Sequence, residues 1–157
     1  MRINVINPFF LTDNHLIAEY REIKMITYYY VKSLKSKNGM DRSKISKRYT
    51  LNKGHAYMWF DKLGYVDRRF KSIVEEMKRR GFKTNFTVLN YTDIPETAFG
   101  NFIPDDEDIR VNLDRVLIRI ADKPLWYKYM GSNISNWDEW YETNFREGNL
   151  LGLNPMV

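Results

Sequence analysis

The chain has 157 residues, no cysteine, two histidines and a formal net charge of +5. That length supplies one domain's core, the missing thiols exclude disulfides and thiolate metal sites, and two histidines speak against a structural zinc. The start, Met1 to Pro8, lacks the basic leader and apolar run of a signal peptide, and no later stretch is apolar enough to span a bilayer. A soluble, intracellular, cytoplasmic protein with no membrane partner is expected.

The charge is unevenly spread. Residues 21 to 87 hold 18 Lys or Arg against 6 Asp or Glu, and the remainder is acidic. A polyanion lying along that middle would release counterions, so its affinity would fall steeply with salt. Basic patches also occur on proteins without a nucleic-acid partner.

In chain order, residues 1 to 11 read as an extended start, with Pro8 keeping Asn7 out of a helix. Thr12 or Asp13 can cap a first helix running from about 13 to 36. At 100° per residue His15, Glu19 and Glu22 share one stripe of it, beside Leu16, Tyr20 and Ile23. Glu22 then sits where a polar stripe meets the buried face, and Arg2, Arg21 or a terminal amine can be its cation. Of the three tyrosines at 28 to 30, at least one must be exposed or pack on another element.

Residues 37 to 53 read as a basic loop with a weak turn or short helix at 43 to 46. Apolar residues then recur at helical spacing, giving helices at about 54 to 63 and 66 to 80, with Gly64 as joint and Gly81 as stop. Pro95, Gly100 and Pro104 mark irregular structure, with a short strand near 87 to 91. A last main helix, about 106 to 121, opens on the acidic run from Asp105 to Asp108, which suits the helix dipole. Its stripe of Ile109, Leu113, Val116 or Leu117, and Ile120 is core-like, and Arg115 and Arg119 lie on another face. Trp126, Tyr127, Lys128 and Tyr129 set aromatics around a cation, either to stack on bases or to seal the core. Residues 137 to 145 have the pattern of a short amphipathic helix whose acidity makes it a poor DNA contact.

Three ordered blocks carry a resemblance. The run His15-Leu-Ile-Ala-Glu-Tyr-Arg-Glu22 follows an Arg2-Ile3-Asn4 start. Gly54-His55 through Leu63 leads on to Lys78-Arg79-Arg80-Gly81-Phe82, and Asp93-Ile94-Pro95 and Ile103-Pro104 precede Ile120 to Tyr129. Together these closely resemble the pyrimidine-dimer DNA glycosylases of the phage endonuclease V type, over residues 1 to about 131. Residues 132–157 extend past the family's usual end and are expected to pack on the domain or on a partner.

The resemblance implies a mostly α, single compact domain of about three main helices, with the extended N-terminal segment threading between them and irregular loops. It implies a DNA-repair glycosylase and abasic-site lyase acting on damaged double-stranded DNA as a monomer, without metal or cofactor. The nucleophile would be the α-amine of Met1, with Glu22 as acid, base and stabiliser of the sugar cation, and Arg2 and Arg21 beside them. Asn14, His15, Lys24, Arg115, Arg119, Trp126, Tyr127, Lys128 and Tyr129 would meet the DNA, largely through phosphates, and the base opposite the lesion would turn out of the helix. Two departures stand out. Familiar phage members lose their methionine and present threonine, whereas Arg2 is too large for usual methionine removal. Where they carry a second arginine four residues after the Arg21 equivalent, this chain has Met25. A DNA-binding relative with lost or repurposed chemistry, or the same mechanism directed at other damaged or modified bases, is the alternative.

Overall fold

The computed structural model describes residues 2–147, with side chains as far as Phe145. Met1 and residues 148–157 of the predicted extension lie outside the described residues. Among the described residues there are six α-helices: α1 (Asp13–Glu22), α2 (Met25–Leu34), α3 (His55–Met58), α4 (Leu63–Arg79), α5 (Asp106–Asp122) and α6 (Trp137–Glu147). The protein is mostly α and forms one compact domain, as expected, although five of these helices rather than about three are long. None is long and apolar enough to cross a membrane.

Three local expectations need correction. The predicted first helix is two, divided at Ile23 and Lys24. Both residues keep right-handed helical dihedrals, but Ile26 N bonds Ile23 O, one residue nearer than in an α-helix, and Thr27 Oγ1 donates to Lys24 O at 2.9 Å. The joint between the next two helices lies at 59 to 62, and Gly64 belongs to the first turn of α4. Gly64 is required there because a Cβ would stand 2.8 Å from Gly100 O, and a Cβ on Gly100 would stand 2.2 Å from Asp61 O.

The third correction is the strand near 87 to 91, which does not form; among the described residues the only pairings outside helices are isolated bridges at Lys62 with Phe99 and Tyr129 with Ser132. Side chains hold this segment instead. Tyr20 Oη donates to Phe86 O at 2.8 Å and accepts from Phe86 N at 2.9 Å, and Tyr91 Oη donates to Asp67 at 2.6 Å. The stripe of α5 faces the core as expected: Ile109, Val116 and Ile120 are buried and Leu113 and Leu117 pack partly buried against the same cluster, with fully buried Asn112 set among them.

Other features follow the sequence. Asp105 and Asp108 close a capping box at the start of α5, and Gly81 ends α4 in the left-handed region at φ +78°. Tyr28 is exposed while Tyr30 is buried. Helix α6 lies on the body: Tyr141 Oη donates to Phe10 O at 2.6 Å, and the Trp140 ring sits 4.7 Å from that of Tyr129.

The extended segment from Ile3 to Ile6 passes between α1, α4 and α5, and Ile3, Val5 and Ile6 are completely buried in the one hydrophobic cluster. The burial of residues 3 to 6 positions the site.

Candidate active site

An extended segment inside a helical protein has no neighbouring strand to take its amides, and unpaired buried amides are costly. Here four consecutive amides donate to side chains. Ile3 N reaches His55 Nε2 at 2.8 Å, Asn4 N reaches Glu19 Oε1 at 3.1 Å, and Val5 N and Ile6 N share Asn112 Oδ1 at 2.6 and 3.1 Å. Asn112 Nδ2 donates to Asn4 Oδ1 at 2.8 Å, and Tyr49 Oη donates to Ile3 O at 2.8 Å.

Glu19 is the hub of this network. Its oxygens accept from Arg69 Nε at 2.8 Å, Arg69 Nη2 at 3.0 Å and Asn4 Nδ2 at 2.8 Å, and Arg69 Nη1 donates to Ile6 O. Both partners of the ion pair are buried. Removing either partner of such a buried pair would strand the other charge, at a cost of about 3–5 kcal/mol. The pair therefore fixes the path of the N-terminal segment more than it adds net stability.

Where that segment emerges, Arg2, His15, Glu19, Glu22 and Arg119 line a cleft of about 170 Å³. The stripe of His15, Glu19 and Glu22 read from helical spacing thus faces one space, and Glu22 is half-buried in it. Burial holds the Arg2 guanidinium below its usual range; Tyr49 and Glu22 oppose that, while Arg115 and Arg119 add to it. Burial likewise pushes the His15 imidazole down to about 4, helped by the charges of Arg2 and Arg119. His15 is therefore neutral at pH 7, with Nδ1 2.7 Å from Thr12 Oγ1. The cleft sets the Glu22 carboxylate, which is not part of the Glu19–Arg69 pair, beside the cations of Arg2 and Arg119. Such a site suits an anionic ligand and disfavours a further positive charge.

The remaining predicted site residues divide among three places. Arg115 lies one turn before Arg119 on α5, with its Nε buried and making no hydrogen bond among the described residues. Asn14 ties the aromatic turn to α1: its Oδ1 accepts from Lys128 N at 3.0 Å and its Nδ2 donates to Trp126 O at 3.4 Å. The Tyr127 ring stacks on His15 at 4.7 Å, whereas Tyr129 turns away to donate to Phe9 O at 2.8 Å, with the Arg80 guanidinium 4.5 Å from its ring. Trp126 is 65% exposed, and Lys128 is also exposed.

Arg21 and Lys24 do not join Glu22. They line a second, wider cleft of about 550 Å³ with Tyr20, Lys83 and Phe86. Lys24 Nζ stands 4.9 Å over the Phe86 ring. Consecutive residues on a helix point about 100° apart, so Arg21 and Glu22 open onto different faces of α1.

Sequence reasoning missed the clamp: Tyr49, His55, Arg69 and Asn112. Two of these had a visible signal. Arg69 interrupts the apolar face of α4 made by Val66, Phe70 and Ile73, and Asn112 interrupts that of α5; both are fully buried. A polar residue on a core stripe demands a buried partner.

Among known protein families, the one described as pyrimidine dimer DNA glycosylase matches residues 1–90. That span runs from the N-terminal segment through α4, while α5, which supplies Asn112 and Arg119, follows it.

Proposed function

This chain belongs to the pyrimidine dimer DNA glycosylase family, and we propose that it excises the damaged base from duplex DNA and then cuts the strand, using the α-amine of Met1. An α-amine has a pKa of about 7.7–8.0, so on the order of a tenth is neutral at pH 7.

The amine attacks C1′ of the damaged nucleotide, the glycosidic bond breaks, and the base leaves with its electron pair and takes a proton. The sugar ring opens at the C1′–O4′ bond, giving an iminium between C1′ and the enzyme nitrogen. Removal of a C2′ proton then expels the 3′ phosphate by β-elimination, and water hydrolyses the imine. Glu22 stabilises the developing sugar cation and exchanges these protons. Arg2, Arg115 and Arg119 hold phosphates, and Trp126, Lys128 and the second cleft bind the surrounding duplex without reading its sequence.

The observation that supports this reading is the burial of residues 3 to 6, which directs Arg2 into the Glu22 cleft. The test is borohydride reduction with an untagged chain on dimer-containing and on abasic duplex. A covalent adduct that disappears when the terminal amine is acetylated is expected. No adduct, or one that survives acetylation, rejects the reading.

A further inference from the structure

Two buried polar side chains, Tyr49 and His55, take no part in the chemistry proposed for the cleft, and both end on the same residue. His55 Nε2 receives Ile3 N at 2.8 Å, while Tyr49 Oη donates to Ile3 O at 2.8 Å. Each side chain is buried.

The partners fix the tautomer of His55. Thr50 O, 2.7 Å from Nδ1, can only accept, so Nδ1 carries the hydrogen. Ile3 N–H and the Trp59 indole N–H, the latter at 3.4 Å, both point at Nε2, so that nitrogen keeps its lone pair. Burial, reinforced by the charge of Arg2, lowers this imidazole to about 4 and keeps it neutral. A protonated ring would set N–H against N–H at Ile3.

The clasp is itself anchored. Tyr49 N donates to Asp108 Oδ1 at 3.1 Å, and Asp108 belongs to the capping box of α5. Gly54, at φ +96°, turns the chain into α3 and so sets the His55 ring beneath the N-terminal segment. The edge-to-face contact of the Tyr49 and His55 rings, 5.6 Å apart, holds the two in one orientation.

We propose that Tyr49 and His55 are positioning residues for the N-terminal nucleophile, gripping the carbonyl and amide of Ile3 so that the preceding residues enter the Glu22 cleft in one fixed register. The inference rests on the reading of the terminal amine as nucleophile. Loosening this grip leaves the DNA contacts assigned to Arg115, Arg119, Trp126, Lys128 and the second cleft intact and removes the preorganisation of the attacking atom, so its effect falls chiefly on the chemical step.

The experiment compares wild type, His55→Leu, His55→Gln and Tyr49→Phe for duplex affinity and for the single-turnover rate of borohydride-trappable adduct at saturating abasic duplex. Leucine removes the acceptor, whereas glutamine can place Oε1 where Nε2 was. The expected result is a tenfold or larger slowing for His55→Leu, a smaller slowing for Tyr49→Phe, recovery of most of the rate in His55→Gln, and duplex Kd within about twofold throughout. Should His55→Leu not fold, the same criteria apply to Tyr49→Phe and His55→Gln. Wild-type rates in folded His55→Leu or Tyr49→Phe, equal slowing in the leucine and glutamine variants, or a loss confined to Kd overturn the clasp while leaving the amine reading intact. A wild-type protein that forms no adduct overturns both.

Discussion

Helix α1 borders two clefts of opposite construction. The one at Glu22 is small and is backed by a chain segment whose amides are individually held by Glu19, Asn112 and His55. The one at Arg21 is about three times larger, floored by Tyr20 and Phe86 and rimmed by Arg21, Lys24 and Lys83. The first fixes atoms, as bond-making requires. The second presents long flexible cations over an apolar floor, as contact with a variable polyanion requires. Under the proposed function, adjacent residues of one helix serve two tasks, and substitutions should separate them.

The sharpest separation is at Glu22. Glu22→Gln should slow single-turnover adduct formation by about 10²-fold or more, the range for general acid–base groups, with duplex affinity nearly unchanged. Equal losses in both would break the division. Glu19→Ala should act through the fold instead, stranding the buried Arg69 charge and costing about 3–5 kcal/mol in urea unfolding. A cost below about 1 kcal/mol would mean that the ion pair does not organise the N-terminal segment.

A milder test uses pH. His15 and His55 titrate near 4 in the folded protein against an ordinary 6.5, so the unfolded chain takes up protons first as pH falls. Their contribution to stability is complete above about pH 6.5 and is lost as pH falls toward 4, at up to about 1.4 kcal/mol per pH unit for each histidine. Urea midpoints between pH 7 and 4.5 should show this slope, and His55→Gln should flatten it. An unchanged slope in that variant contradicts the burial of a neutral His55.

The smallest effect belongs to the second cleft. Lys24→Ala and Lys83→Ala should each lower the log–log salt slope of duplex binding by about one and leave the saturated single-turnover rate as it was. A slowed chemical step in either variant would join the two clefts that the geometry keeps apart.

What could be read in advance was what local rules govern. Helical spacing put His15, Glu19 and Glu22 on one face, the acidic run at Asp105 marked the start of α5, and Gly81 marked the end of α4. What could not be read depends on residues far apart in the chain. Gly64 is needed only because the backbone at Gly100 passes beside it. The clamp draws on Glu19, His55, Arg69 and Asn112, more than fifty residues from the segment they hold in three of the four cases. Arg21 was expected beside Glu22, as a possible cation for it and from the resemblance, yet the two line different clefts.

The most direct test of the account is to find which nitrogen bonds to the sugar. After borohydride reduction on abasic duplex, the adduct can be digested and the modified peptide identified by mass spectrometry. The account predicts the sugar remnant on the α-amine of Met1, with every lysine unmodified; a remnant on a lysine such as Lys24 or Lys128 would contradict it.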